Sequence, residues 1–102
     1  MPLFRSKLEV RMNTLLITAG VPFQYSVWFE VKGGGKREVD FLLMRPIRAY
    51  WFDGYITAIE VKGVLDMRSY EQQRELREVG ISTVIVTDQV IRFWERHAFL
   101  KT

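Results

Sequence analysis

Residues 55–63 read Tyr-Ile-Thr-Ala-Ile-Glu-Val-Lys-Gly, and the β-branched and apolar residues of the first part predict a strand over residues 55–61. Alternate residues of a strand share one face, so Glu60 and Lys62 point to one side and Val61 points to the other. Two charges on an otherwise apolar strand are costly to bury unless they serve each other, a metal ion or a substrate. The sequence therefore indicates a site on this strand.

A further acidic residue, Asp40, lies in the middle of residues 38–44, which alternate and predict another strand. The turn signal Asp53-Gly54 stands before the strand that carries Glu60. An antiparallel pairing of these two strands would bring Asp40 beside Glu60.

The tetrapeptide Glu-Val-Lys-Gly occurs a second time, at residues 30–33. No aspartate precedes this copy, whereas Glu60 follows Asp40 at a spacing that allows one hairpin return. We therefore expect Glu30 and Lys32 to lie on an exposed strand face that leads into a glycine-rich turn, without a role in the site.

Helix and turn signals place the elements on the N-terminal side. A capping box from Ser6 to Glu9 begins a helix with apolar residues at helical spacing, which ends at Gly20. A strand over residues 23–32 leads into a turn at three consecutive glycines, and it completes an antiparallel meander of three strands. Residues 45–52 fit either a wide hairpin end or a continuation of the second strand.

The C-terminal half predicts a helix, a strand and a last helix. Asp66 or Ser69 caps the first of these helices, which runs to Val79. Residues 82–87 form a short buried strand, and a right-handed crossover places it parallel to the third strand. Residues 90–98 have helical spacing. The prediction is a mixed α/β fold of order αβββαβ with a C-terminal helix, in one domain over residues 1–102.

The composition limits the possible kinds of site and partner. The 102 residues include no cysteine and a single histidine, His97, so neither a disulfide framework nor a thiolate zinc site can form. No apolar run approaches the ~20 residues of a membrane span, and no signal peptide is evident, so we expect a cytoplasmic protein without membrane contact. The formal charge of +3 favours polyanions, although a solvated basic surface explains it equally well. The small core favours a homodimer.

The order and spacing of the charged residues resemble the PD-(D/E)xK nuclease superfamily, which has the restriction-endonuclease-like fold. The resemblance begins at Glu9 in the first helix, continues through Asp40 and the Glu60-x-Lys62 motif on adjacent strands, and reaches the last predicted strand. The chain is most similar to short phage-type and repair-type nucleases and to Holliday junction resolvases. Val39 stands where the superfamily often has a proline before the aspartate.

The resemblance implies a metal-dependent deoxyribonuclease that uses Mg²⁺ or Mn²⁺. Asp40, Glu60 and the backbone carbonyl of Val61 would hold the cation, because hard cations prefer oxygen ligands. Lys62 would orient or activate the attacking water and stabilise developing charge. A structural ion pair on the sheet is the alternative for these residues. Glu9 is either a further carboxylate of the metal site or only a capping-box partner.

Accessory residues are predicted on the second helix and near the turns. Gln72 and Gln73 fall on the face that would direct an amide toward the site, with Gln73 preferred, although Gln72 also fits a capping box. The basic residues expected to contact DNA phosphates are Lys36, Arg37, Arg45, Arg48 and Arg68. Tyr50 and Trp51 suit stacking on unpaired bases, but core or dimer packing explains them better.

The expected activity is hydrolysis of DNA phosphodiester bonds, as an endonuclease or an exonuclease. A chain this short has few residues for an element that reads bases. We therefore expect it to recognise the DNA backbone or the structure of the DNA, including branches. No organic cofactor is expected. The alternative is a non-catalytic nucleic-acid-binding or structural protein, of a virus or mobile element, that retains the fold.

Overall fold

The chain alternates helices and strands in the order that the sequence predicts. The computed structural model describes residues 4–101. Its helices are α1 (Lys7–Thr18), α2 (Met67–Glu78) and α3 (Asp88–Arg96), and its strands are β1 (Phe23–Glu30), β2 (Lys36–Ile47), β3 (Ile56–Val61) and β4 (Thr83–Val86). The predicted mixed α/β fold class is therefore confirmed.

The four strands form one sheet in the order β1-β2-β3-β4. β1, β2 and β3 are antiparallel neighbours, and β4 is parallel to β3. The predicted meander and the parallel fourth strand are thus confirmed. Because the chain passes from β3 to β4 through α2, the C-terminal ends of these strands meet at one end of the sheet, where Val61 pairs with Val86.

Two strands differ from the expectation from sequence by two or more residues at an end. β1 ends early, at Glu30, because Val31 N–H donates to the Gly35 carbonyl at 2.9 Å and closes the turn. β2 spans Lys36–Ile47, so it is longer than predicted at both ends. For residues 45–52 two alternatives were possible, and the structure shows the second strand continuing to Ile47 and then leading into a loop.

Polar side chains cap the first two helices. Ser6 Oγ accepts a hydrogen bond from Glu9 N–H at 3.2 Å, and Asp66 Oδ1 accepts one from Ser69 N–H at 2.8 Å. Each cap satisfies a backbone N–H that has no partner inside its own helix. Of the two residues proposed to cap α2, Asp66 is therefore the N-cap.

The sheet separates two hydrophobic clusters. On one face Met12 of α1 and Ile91 of α3 lie in the larger cluster, together with Phe41. On the other face Leu76 of α2 lies in a smaller cluster with Ala58. None of the helices within residues 4–101 has both the length and the apolar character that a membrane span requires.

Ion pairs join the two helices that share a face. Arg11 of α1 lies 2.6 Å from Asp88 and 2.6 Å from Glu95, both on α3. These side chains are partly exposed, so each pair contributes little by itself, although a guanidinium that binds two carboxylates holds a defined geometry. The contact fixes α1 against α3.

Candidate active site

Asp40 lies where β2 and β3 stop pairing. The register of the two strands includes Phe41 opposite Ile59 and stops short of Asp40. Here the Val61 N–H donates to Asp40 Oδ2 at 2.7 Å. The carboxylate therefore takes the position of a backbone acceptor between the strands, and it is buried, with 3% of the residue exposed.

The alternation of side chains is interrupted at Asp40. Val39 lies in the cluster under α2 and Phe41 in the cluster under α1, although residues two apart on a strand normally share a face. Ser26 holds the facing position on β1 and has a left-handed backbone, with φ of 59°. This conformation is strained for a residue with a side chain. The local distortion accompanies the turn of Asp40 toward β3.

The carboxyl groups of Asp40 and Glu60 face each other across the gap between β2 and β3, near enough for each to change the pKa of the other. Burial raises the pKa of Glu60 to about 9, the hydrogen bond and charge of Asp40 add to this, and the Lys62 charge opposes it. Burial also raises the pKa of Asp40, against the effect of its hydrogen bonds to Glu60 and Val61. Two carboxyl groups this close ionise together only when further positive charge is supplied.

Arg5 joins Asp40 to further carboxylates. Its Nη2 lies 2.8 Å from Asp40 Oδ1 and its Nη1 lies 2.7 Å from Glu38 Oε1. Its Nε lies 3.6 Å from Glu9 Oε2. We call Glu9, Glu38, Asp40 and Glu60 the acidic cluster. The cluster is drawn from α1, β2 and β3, and one arginine from the segment before α1 partly neutralises it.

Glu9 takes part in the cap of α1, and its carboxylate lies at the acidic cluster. Its backbone N–H is capped by Ser6, which is one of the two hydrogen bonds of a capping box. Its carboxylate accepts from the Arg5 backbone N–H at 2.9 Å and from the Tyr25 hydroxyl, so it turns toward the acidic cluster. Burial, followed by the hydrogen bond to Glu9, raises the pKa of Tyr25. The tyrosine therefore remains a neutral donor that holds the Glu9 carboxylate in place.

Glu38 is a member of the cluster that the sequence analysis did not single out. Burial alone would raise the pKa of Glu38, but hydrogen bonds from Arg5 and from Ser26 Oγ, at 2.5 Å, outweigh it and leave the pKa lowered. The signal that would have found it is its position two residues before Asp40 on the same strand.

Lys62 follows directly on the end of β3. Its backbone N–H donates to the Val86 carbonyl at 2.9 Å, which continues the pairing with β4. The half-buried side chain is near enough for its charge to lower the pKa values of Glu38 and Glu60 against the effect of burial. The expected trio of Asp40, Glu60 and Lys62 is therefore brought to one place in the fold.

The oxygen atoms at this place fit a hard cation. Asp40 and Glu60 contribute two carboxylates. The Val61 N–H points to β2, where it is bonded to Asp40, and the Val61 carbonyl points to the same side. Among residues 4–101 no group of three or more Asp, Glu or His side chains has a metal-binding arrangement. Mg²⁺, however, is commonly held by one or two carboxylates and keeps several waters. Two carboxylates and a carbonyl meet that requirement.

The two glutamines of α2 lie beside Glu60. Gln72, Gln73 and Glu60 line one small cavity of about 10 Å³, room for roughly one water molecule. The Gln73 side chain donates from Nε2 to the Thr83 carbonyl at 2.7 Å, so its amide is fixed against β4. Both glutamines therefore lie near Glu60, and the Gln73 amide NH2 group is bound to the backbone of β4.

The basic residues expected to bind DNA are divided between the two ends of the sheet. Arg68 lies in the first turn of α2, at the end that carries Lys62. Arg37 makes an ion pair with Glu75 of α2, 3.0 Å apart, and Lys36 is exposed beside it. Arg45 and Arg48 border a separate cavity toward the other end of β2. At about 3.3 Å per residue, Arg45 lies roughly 16 Å from Asp40 along the strand.

The described arrangement brings Asp40, Glu60 and Lys62 together, with Glu9 beside them, and leaves Arg45 and Arg48 apart. No protein-family model matches the sequence, and neither does any curated protein or any solved structure.

Proposed function

We propose that this protein is a Mg²⁺- or Mn²⁺-dependent nuclease that hydrolyses phosphodiester bonds of DNA. One observation carries the proposal: the buried carboxyl group of Asp40 and the half-buried carboxyl group of Glu60 lie close together in the gap between adjacent strands, and Lys62 lies two residues beyond Glu60. The same residues carry the resemblance to the PD-(D/E)xK superfamily. Position in the fold and residue type thus support one function.

Each residue has a distinct part in the proposed reaction. Asp40 and Glu60 would hold the cation, with the Val61 carbonyl as a further ligand. When bound, Mg²⁺ or Mn²⁺ neutralises the phosphate and lowers the pKa of a water ligand. Lys62 orients that water and stabilises the charge that develops on the phosphate. Glu9 holds the cluster through Arg5 and provides a further carboxylate near Asp40.

The competing interpretation is that Glu60 and Lys62 form a structural ion pair. Among the described residues Lys62 takes part in no ion pair within 4.0 Å. Glu60 instead contacts a second carboxyl group, which raises its pKa and destabilises the ionised pair. If the strand needed only an ion pair for stability, this contact between two carboxyl groups would not stabilise it.

A second candidate function is a nucleic-acid-binding protein that keeps this fold without cutting. The contact of Arg5 with three carboxylates of the acidic cluster favours it, because an internal cation already offsets part of the negative charge. The two candidates differ in one property. A nuclease binds a divalent cation and cleaves DNA. A binding protein binds DNA without a divalent cation, and its affinity for DNA falls steeply as the salt concentration rises.

The test is a cleavage panel on linear, nicked, flapped and four-way DNA with Mg²⁺, Mn²⁺ or EDTA. Glu60→Gln is compared with Glu30→Gln, which changes the same residue in the second Glu-Val-Lys-Gly copy, where the side chain is exposed. We expect metal-dependent cleavage by wild type and Glu30→Gln and a loss of at least about 100-fold in Glu60→Gln. Absence of cleavage on every substrate, or full activity in Glu60→Gln, contradicts the proposal.

A further inference from the structure

A groove opens at the outer edge of β4, between the start of α2 and the start of α3. Its volume is about 230 Å³. Trp51 and Tyr70 form part of its walls, and each is half exposed, with 50% of its surface accessible. Two large aromatic rings are thus held open to solvent beside an edge strand, which is costly unless they contact something else.

The chemistry of the groove is polar but uncharged. Gln73, Thr87 and Gln89 lie among the aromatic and aliphatic residues, and none of the described residues that line the groove is charged. A phosphate would therefore find no cation inside it. A flat heterocycle with hydrogen-bonding edges fits better, because rings stack on Trp and Tyr while amides and hydroxyls bond the edges.

The loop that carries Trp51 is held rigidly. The Trp94 indole N–H donates to the Tyr50 carbonyl at 2.7 Å, and Lys101 Nζ donates to the Phe52 carbonyl at 2.8 Å. Trp51 itself has a left-handed backbone with φ of 85°, a genuine outlier for a bulky residue. Its ring packs against Phe93 in a T-shaped arrangement, with centroids 5.5 Å apart. The fold thus fixes this ring at the groove despite backbone strain.

The groove adjoins the acidic cluster. Gln73 and Ile85 line both the groove and the small cavity that contains Glu60. Ile85 is also the β4 residue that pairs with Glu60 of β3, so roughly one strand spacing of 4.8 Å separates their backbones. A strand of DNA with a phosphate at Glu60 would bring a neighbouring nucleotide to the groove.

We propose that this groove binds a single unstacked nucleobase of the DNA strand whose phosphate lies at Asp40 and Glu60. The identification of the bound polymer as DNA rests on the proposed function. The substrate is then single-stranded or distorted DNA, because a paired and stacked base cannot enter a groove at a sheet edge without leaving the duplex. Trp51 and Tyr70 provide the stacking surfaces, and Gln73 and Gln89 face the base edges.

The experiment measures binding of fluorescent single-stranded and duplex oligonucleotides by anisotropy with Ca²⁺, which prefers the same oxygen ligands as Mg²⁺, and gels confirm that the oligonucleotides stay intact. Trp51→Ala is compared with Trp28→Ala, a matched control on β1 at the opposite edge of the sheet, with 61% of its surface exposed. We expect Trp51→Ala to lose about tenfold in single-strand affinity and Trp28→Ala to lose less than about twofold. Because Trp51 also contacts Phe93, Tyr70→Ala serves as a second variant with the same expected loss.

A scan of abasic positions along the oligonucleotide makes the test specific for a base. At one position, removal of the base should weaken wild-type binding about tenfold and should not weaken binding by Trp51→Ala any further. Equal single-strand affinity of wild type, Trp51→Ala and Tyr70→Ala overturns the inference, as does absence of single-strand binding by wild type. A change from dimer to monomer in Trp51→Ala assigns the groove to self-association and also overturns it.

The outcomes separate this inference from the proposed function. Trp51-dependent binding by a protein that cleaves no substrate supports the groove and contradicts the nuclease. Metal-dependent cleavage with affinity independent of Trp51 and Tyr70 supports the nuclease and contradicts the groove.

Discussion

Arg5 donates from Nη2 to Asp40 Oδ1 at 2.8 Å, so a fixed positive charge lies against the carboxylate assigned to the metal. The hydrogen bond that Arg5 donates to Glu38 raises the pKa of Arg5, against the effect of burial, so this charge persists at every accessible pH. A divalent cation bound to Asp40 would be repelled by the neighbouring guanidinium, and the two compete for the same carboxylate.

The first prediction follows from this competition. Arg5→Met should raise the affinity for Mn²⁺ by about tenfold, because the competing cation is gone, and should lower the metal-free stability by about 1–2 kcal/mol, because buried carboxylates lose their donor. Isothermal calorimetry and urea melts measure both effects. Arg11→Met is the control: it breaks comparable ion pairs with Asp88 and Glu95 and should leave Mn²⁺ affinity unchanged. Weaker Mn²⁺ binding by Arg5→Met would show that Arg5 supports the site.

The second prediction concerns Lys62. Lys62→Met should lower plasmid nicking by about 100-fold or more while Mn²⁺ binding and the melting temperature stay near wild type, because the role proposed for the lysine is to act on the attacking water and not to hold the fold. Lys32→Met makes the same change in the exposed copy of the motif and should nick normally. A structural ion pair predicts the opposite pattern, with lost stability at neutral pH and a normal response to metal. Unchanged nicking in Lys62→Met would show that the wrong lysine has been assigned.

The third prediction is a pH dependence of stability without metal. The pKa of Glu60 rises from an ordinary 4.5 to about 9 in the folded chain, chiefly through burial. The folded state therefore binds more protons than the unfolded state between these values, so stability should fall as pH rises across this range and then level off. Urea melts from pH 5 to 9 in EDTA measure the slope, which Glu60→Gln should flatten. A wild-type slope as flat as that of the variant would show that Glu60 is already ionised.

The fourth prediction is a homodimer. A domain of 102 residues buries proportionally little surface, and large apolar side chains such as Val64, Met67 and Tyr55 are more than 60% exposed. Pairing would cover such surface and would supply two sites for two strands. Light scattering with sedimentation should give twice the chain mass at micromolar concentration. A monomer at high micromolar concentration would rule the dimer out.

The order of elements could be predicted because short-range signals carry it. Caps at Ser6 and Asp66, alternation in the strands and the turn before β3 each depend on a few neighbouring residues. The length of β2 could not, because residues 45–47 remain extended through contacts beyond their neighbours. Period-two alternation also fails at Asp40, where Val39 and Phe41 enter opposite clusters.

The composition of the site was predictable only in part. Asp40, Glu60 and Lys62 share a chemistry and a strand pattern that the sequence displays. Glu38 lies two residues before Asp40 on the same strand, but Arg5 becomes a neighbour of the site only when the segment before α1 folds over β2, a long-range contact that local patterns do not contain. The groove at β4 likewise depends on a loop, a helix and an edge strand that are distant in sequence.

The left-handed backbone at Ser26 has a consequence for how copies of this chain meet. β1 and β4 are the two outer strands of the sheet, and each presents backbone groups that could template a strand of another molecule. β4 has only 4 residues, and β1 is distorted in its middle by Ser26, so neither offers a long flat row of donors and acceptors. The chain is thereby protected against growing its sheet from molecule to molecule into a fibre.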